Sequence, residues 1–136
     1  MVEKKIKGRK RHIVVDVLGN LLSVVVHAAN IHDTISGIRA ASQAVLNYSS
    51  IRGFCADAGY KGTFEHDLWE KFKLGVDISE KVKPKEWEIL PWRWIVERTL
   101  SWLNASRRLS KDYEITVLSA ESMIKISHIH TLLKRL

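Results

Sequence analysis

The sequence predicts a single α/β domain, because short strand-like segments alternate with segments of helical periodicity. Residues 10–16 and 21–29 predict two strands, and the Gly19–Asn20 turn between them predicts an antiparallel hairpin. Later strand-like runs each stand next to a run with helical spacing. With 136 residues the chain is long enough for one hydrophobic core, and it contains no internal repeat or linker.

The segment after the hairpin predicts a helix from Thr34 to Tyr48, with Asp33 or Thr34 as its cap. We expect its inward stripe to consist of Ile35, Ile38, Ala41 and Val45. Residues 51–56 predict a buried third strand that leads into Asp57. A helix from Thr63 to Lys73 should follow, with its apolar side chains four residues apart at Phe64, Leu68 and Phe72.

The second half of the chain predicts one further strand and two further helices. Residues 74–78 fit a short strand, residues 80–91 a charged loop, and residues 92–105 a helix rich in tryptophan. A final helix should run from Ser119 to Leu136. Its expected inward side chains are Met123, Ile126, Ile129 or His130, and Leu133.

Composition excludes several classes of protein. A hydrophobic content of 46% with a mean hydropathy of −0.11 is typical of a soluble globular protein. No apolar run of membrane-spanning length and no secretory signal pattern is present, so we expect no membrane partner and a cytoplasmic location. The single cysteine, Cys55, excludes an internal disulfide, and we expect a reduced and buried thiol.

Positive charge is concentrated near the N-terminus. The net charge is +7 and the pI about 9.7, which favours a polyanionic partner over a membrane surface. Residues 1–11 form a basic arm that runs directly into the first strand. A solvated, partly disordered arm is the alternative interpretation. Its cations are Lys4, Lys5, Lys7, Arg9, Lys10 and Arg11.

The tryptophan-rich helix carries the most informative pattern. Glu97 and Arg98 share one helical face with Trp94, Ser101 and Trp102. A face built only for burial would not hold unpaired charges, and one built only for solvent would not hold tryptophan. The mixture suits a carboxylate that holds a metal beside a cation that faces phosphate. A half-buried helix with a surface ion pair is the alternative.

Other acidic and histidine side chains are more ambiguous. Asp57 follows a strand, where α/β folds place their sites, but it could equally cap the turn. Asp16 is fully explained by a role in the hairpin turn. The histidines have no metal-ligand spacing, so we expect His27 and His32 to be structural, and His128 and His130 to be packing or surface residues. The segment 107–114 could be an ordinary surface loop with internal ion pairs.

Five ordered motifs together resemble bacterial insertion-sequence DDE transposases over nearly the whole chain. The closest similarity is to the branch whose signature helix has an Arg four residues before the catalytic Glu, here Arg93 before Glu97 in the motif Arg93–Trp94–Ile95–Val96–Glu97–Arg98–Thr99. The other motifs are Lys7–Gly8–Arg9–Lys10–Arg11–His12, Val24–Val25–Val26–His27–Ala28–Ala29–Asn30–Ile31–His32–Asp33, Ala56–Asp57–Ala58–Gly59–Tyr60 and Arg107–Arg108–Leu109–Ser110–Lys111–Asp112–Tyr113–Glu114.

This resemblance implies an RNase H-like, retroviral-integrase-like fold, with a mixed sheet flanked by helices over residues 1–136. It implies a site of two Asp and one Glu, in which Asp57 corresponds to the second Asp and Glu97 to the Glu. The family's first Asp lies on a strand upstream of the basic run, and no Asp occupies that place here. Leu90 and Asn104 also depart from the signature. We therefore expect an N-terminally truncated catalytic domain.

The chemistry implied by the resemblance is metal-dependent cleavage of a phosphodiester and strand transfer. Two Mg²⁺ ions about 4 Å apart would be held by the carboxylates. The expected partner is DNA, with a homo-oligomer on DNA as a further possibility. An inactive DNA-binding remnant of a transposase is the alternative function. The expected DNA contacts are Lys5, Lys7, Arg9, Lys10, Arg11, Arg93, Arg98, Arg107 and Arg108.

Overall fold

A β-hairpin begins the fold, in a computed structural model that describes residues 8–79, 93–109 and 111–136. Strand β1 (Arg9–Val15) pairs antiparallel with β2 (Leu21–Ala28). The side chain of Asp16 shapes the turn by accepting hydrogen bonds from the backbone N–H groups of Leu18 and Asn20, each at 2.9 Å. The predicted hairpin and the predicted turn role of Asp16 are both confirmed.

Helix α1 (Asp33–Asn47) lies against the hairpin through small side chains, and this differs from the predicted stripe. Its buried residues are Ser36, Gly37, Ala40, Ala41 and Ala44. Ile35 is 57% exposed, so its predicted inward position is wrong. The N-cap is His32, not Asp33 or Thr34, because the imidazole accepts from the Thr34 N–H.

A β–α–β unit follows, made of β3 (Gly53–Asp57), α2 (Thr63–Phe72) and β4 (Gly75–Ser79). Strands β3 and β4 are parallel, and α2 contributes Phe64 and Leu68 to a small core with Ala41. One face of β3 packs on that core, and its other face is open. Cys55 lies on the open face and is exposed, so the predicted buried strand and buried thiol are wrong.

The main core lies between the hairpin and the last two helices, α3 (Arg93–Asn104) and α4 (Val117–Leu133). It consists of Val24, Val26, Leu103, Leu109, Ala120 and Ile124. The predicted inward face of α4 is wrong at three positions. Ile126 and Ile129 are each 55% exposed and Leu133 is 61% exposed, whereas Ala120, Ile124, Ser127 and His128 are buried.

The strands of the described residues form two two-stranded sheets, β1–β2 and β3–β4, and the helices pack beside them in a mixed α/β arrangement. Side chains of α4 cover β2: Glu121 accepts from the Val26 N–H and His128 from the Leu21 N–H, each at 3.0 Å. Within residues 8–79, 93–109 and 111–136, no helix is long and apolar enough to cross a bilayer. The predicted loop at residues 80–91 lies outside these ranges.

Candidate active site

Asp57 is the last residue of β3, and its side chain is exposed. One carboxylate oxygen accepts a hydrogen bond from the Gly59 N–H at 3.0 Å and thereby caps the short 3₁₀ turn Ala58–Tyr60. Asp57 therefore caps a turn and stands at a strand end. An exposed carboxylate held by one backbone N–H keeps oxygen lone pairs for a further ligand.

Glu97 lies on the exposed side of α3, in a helix whose opposite side is fixed in the core. Ile95 and Leu103 are buried there, and Thr99 is completely buried. The Thr99 hydroxyl lies 3.0 Å from the Ile95 carbonyl oxygen and 3.3 Å from that of Gly19 in the hairpin turn. Because these contacts fix the rotation of α3, they also fix the direction of Glu97.

Asp57 and Glu97 line the same cleft, which has a volume of about 790 Å³. Residues of β1, β3 and α3 line it, together with residues of α1 and α2. Two further carboxylates, Asp16 and Asp33, also line the cleft. Carboxylate oxygens are the donors that Mg²⁺ prefers, so the chemistry of Asp57 and Glu97 fits such an ion.

Asp16 is a poor metal ligand in spite of its position in the cleft. One of its oxygens accepts from two backbone N–H groups, and the other accepts from the Asn20 side-chain amide at 2.9 Å. Release of these bonds would undo the hairpin turn. The structure therefore supports the turn role of Asp16.

Comparison with known proteins places the chain in a family. The family model described as "Transposase DDE domain" matches residues 2–132.

The chain belongs to the DDE transposase family. It is 27% identical over 115 residues to a protein of Burkholderia cepacia whose name describes a transposase for insertion sequence element IS402. The match covers 79% of this chain and 54% of that relative, so the chain spans about half of the relative's length. No solved structure matches.

Arg98 has partners both on α3 and in the hairpin turn. Its guanidinium lies 4.6 Å from the ring centroids of both Trp94 and Trp102, so the cation is stacked between two indoles. It also donates to the Leu18 carbonyl oxygen at 3.1 Å. Arg98 thus joins the signature helix to the hairpin turn, a structural use that its predicted role as a phosphate contact did not anticipate.

The basic residues predicted to contact DNA are placed differently from one another. Arg9 donates to the Ile115 carbonyl oxygen at 2.7 Å and to the Asp112 carboxylate at 3.1 Å. Arg11 donates to the Leu109 carbonyl oxygen at 3.1 Å. These two arginines of β1 therefore tie the hairpin to the segment before α4. Lys5 and Lys7 lie outside the described residues.

The segment after α3 combines exposed charge with internal pairing. Arg108 forms an ion pair with Glu114, with 2.7 Å between nitrogen and oxygen. Its guanidinium carbon lies 5.5 Å from the centroid of the Tyr113 ring. Arg107 is exposed on the 3₁₀ turn Arg107–Leu109. The alternative interpretation, a surface loop with internal ion pairs, therefore describes part of this segment. Arg93 begins α3.

Sequence reasoning missed a second polar group at the cleft. His12 and His27 are buried and their rings stack, with centroids 4.7 Å apart, and Asp33 lies beside them. Burial, and then the neighbouring His27, lower the pKa of His12, while Asp33 opposes that shift. Burial also raises the pKa of Tyr60 to about 12, with smaller contributions from Asp33 and Asp57. The spacing of His12, His27 and Asp33 in the sequence does not indicate this group, because strand pairing in the hairpin and the start of α1 bring the three residues together.

Proposed function

We propose that this chain supplies the later part of an RNase H-like DDE catalytic domain, which cleaves DNA and transfers strands when its third carboxylate is present. The proposal rests on its membership of the DDE transposase family. The observation that carries it is that Asp57, at a strand end, and Glu97, on a helix far along the chain, line one cleft. The location proposed for this activity is the bacterial cytoplasm, on DNA, with a homo-oligomer as the working form.

The third carboxylate would come from a further β-strand seated in the cleft. Strand β1 pairs only with β2, and β3 only with β4, among the described residues. Side chains of α4 cover β2, whereas β1 and β3 both face the cleft. Because strands tend to complete their hydrogen bonding with a neighbour, a strand here would join the two sheets into one mixed sheet. Its side chains would then lie between Asp57 and Glu97.

The chain's own residues would hold the reacting groups in place. Asp57 and Glu97 would bind Mg²⁺ through carboxylate oxygens, and the bound ions would activate the attacking oxygen and stabilise the leaving one. Arg93 and Arg107 would contact phosphate, since a guanidinium can bind two oxygens at once. Arg98 would keep α3 docked on the hairpin turn and so position Glu97.

Plasmid cleavage tests this proposal. The substrate is a supercoiled plasmid that carries the coding region of this chain with its flanking DNA, incubated with Mg²⁺. The chain alone should give little nicking, since a site short of one carboxylate holds Mg²⁺ weakly. A fusion that places an Asp-bearing strand ahead of Met1 should nick the plasmid. Glu97→Gln in that fusion should abolish nicking, because the amide keeps the shape but loses the charge.

Two control variants sharpen the result. Glu70→Gln removes an exposed carboxylate from α2 and should leave nicking unchanged. Asp16→Asn should also leave the chemistry in place, apart from any loss of folded protein. Full activity of the Glu97→Gln fusion would refute the site. DNA binding without cleavage by every fusion would favour the inactive remnant. Cleavage by the unfused chain that Asp16→Asn removes would make Asp16 the third ligand.

A further inference from the structure

His12, His27 and Asp33 come together from three consecutive elements of the fold. In the hairpin register Lys10 lies opposite His27, so His12, two residues further along β1, is on the same face as His27. Asp33 begins α1, which packs against both strands of the hairpin. One donor atom from each of the three residues lies within 4.8 Å of the other two, and His12 Nε2 is 3.7 Å from Asp33 Oδ1.

The two imidazoles present unused nitrogens at this point. His12 is 9% exposed and His27 is 3% exposed, and the Nε2 atom of each is buried without a hydrogen-bond partner in the structure. Buried polar atoms normally have a partner, and leaving one without a partner costs free energy. Two such atoms side by side, next to a carboxylate, indicate a ligand that accepts lone pairs.

The outer nitrogens of both rings are already oriented. His27 Nδ1 lies 2.8 Å from the Ala28 carbonyl oxygen, which can only accept, so Nδ1 carries the proton and Nε2 offers its lone pair. His12 Nδ1 lies 2.7 Å from the Tyr60 hydroxyl. Metal-binding histidines are held in this way, by a hydrogen bond from the ring nitrogen that does not touch the ion.

We propose that His12 Nε2, His27 Nε2 and a carboxylate oxygen of Asp33 form a site for a first-row transition ion, foremost Zn²⁺, separate from the Asp57 and Glu97 pair. Two imidazoles and one carboxylate are a donor set that suits Zn²⁺ or Co²⁺ and not Mg²⁺, which prefers oxygen. Tetrahedral ligands about 2.0 Å from Zn²⁺ stand roughly 3.3 Å apart, so the three atoms need to approach by about 1.5 Å at most.

The ammonium group of Lys10 would compete with such an ion for the carboxylate of Asp33. This ammonium donates to Asp33 Oδ1 at 2.9 Å, and the two side chains are 44% and 48% exposed. An ion bound at the site would displace this ammonium or use the other oxygen of Asp33. In either case it would tie the start of α1 to the hairpin. Bound Zn²⁺ should therefore raise the melting temperature, as any ligand of the folded state does.

Titration of the whole chain with Zn²⁺ by calorimetry, and with Co²⁺ by visible absorption, tests the proposal. We expect one ion per chain, the absorption of a four-coordinate Co²⁺ complex, and no displacement by excess Mg²⁺. Asp33→Asn should weaken Zn²⁺ binding by more than about tenfold, and Tyr60→Phe by about tenfold. Lys10→Ala should strengthen it by about two- to fivefold, which is the range for loss of an exposed ion pair.

Matched variants separate this site from adventitious binding. Asp67→Asn and His66→Gln alter a carboxylate and an imidazole on α2, away from the group, and should leave the affinity unchanged. His12→Asn and His27→Gln should abolish binding. If those two fail to fold, Asp33→Asn and Lys10→Ala carry the test, because both side chains are half exposed. Absence of Zn²⁺ binding, or equal affinity in wild type and Asp33→Asn, would overturn the proposal. Neither result depends on whether the chain cleaves DNA.

Discussion

The guanidinium of Arg98 donates a hydrogen bond to the backbone oxygen of Leu18, with 3.1 Å between the two atoms. This bond joins the signature helix to the tip of a hairpin that lies 80 positions earlier in the chain. Thr99 reaches the same turn at the Gly19 carbonyl oxygen. Glu97 stands next to Arg98 and Thr99 on α3. Its direction therefore depends on how firmly α3 is docked on the turn.

Replacement of Arg98 by Lys should destabilise the protein although the charge is kept. Lysine would lose the stacking of a planar guanidinium between Trp94 and Trp102 and would reach Leu18 poorly. We expect a loss of about 1–2 kcal/mol in the free energy of unfolding, measured in urea. The control is Arg39→Lys on the exposed side of α1, which should change stability by less than about 0.5 kcal/mol. Equal effects of both variants would argue against a docking role for Arg98.

Gly19 should not tolerate a side chain. Its φ is +85°, and a Cβ atom there would lie 3.0 Å from Arg98 Nη2 and 3.2 Å from Thr99 Oγ1. Gly62 has a similar φ of +92° but open space around it. Alanine at either position must adopt a left-handed backbone, which lowers the free energy of unfolding by about 1 kcal/mol. Gly19→Ala should cost about 1–2 kcal/mol more, because the contact with α3 is forced apart. Equal melting temperatures for the two variants would contradict this.

His128 should make stability depend on pH. Its Nε2 accepts from the Leu21 N–H, so the bond requires a neutral ring. Burial and then Arg135 lower the pKa of His128 below its ordinary 6.5, and Asp16 partly opposes this. The unfolded chain therefore takes up the proton first. The stabilisation that neutral His128 provides is present above about pH 6.5, and it is lost as the pH falls below that value.

The variant His128→Gln isolates this effect, since an amide oxygen can accept from Leu21 but does not titrate in this range. Urea unfolding at several pH values should show a shallower fall of stability below about pH 6.5 in the variant. The difference in slope is at most about 1.4 kcal/mol per pH unit, the value for one proton. Parallel curves for the two proteins would exclude His128 as a source of the pH dependence.

The basic residues before β1 should contribute to DNA affinity in a way that depends on salt. Lys5→Ala with Lys7→Ala should flatten the slope of log affinity against log salt by up to about 1.8, because each contacted phosphate on a duplex contributes about 0.9. The control pair, Lys71→Ala with Lys125→Ala, removes the same charge from exposed positions on α2 and α4. An equal flattening in both pairs would show that net charge alone, and not the arm, determines binding.

Local patterns in the sequence predicted most of the elements. The hairpin, the helix carrying Phe64 and Leu68, and the short strand that pairs with β3 depend on turn residues and on spacings within one segment. Helix orientation was harder to predict. The stripe chosen for α1 favoured large apolar residues, whereas close packing on the hairpin selected small ones, so Ile35 remained exposed. On α4 the apolar residues surround the helix, and the pattern could not identify the buried side.

The sequence by itself determined the transposase motifs, the carboxylates Asp57 and Glu97, and the place of Asp16 in its turn, because each depends on residues close together in the chain. Only the tertiary structure decided that Asp57 and Glu97 line one cleft, that Arg98 reaches the Leu18 carbonyl oxygen of the hairpin, and that His12 meets His27 and Asp33. These are contacts between segments remote in sequence. Strand register and helix docking determine these contacts, and neither can be predicted from the spacing of residues within one segment.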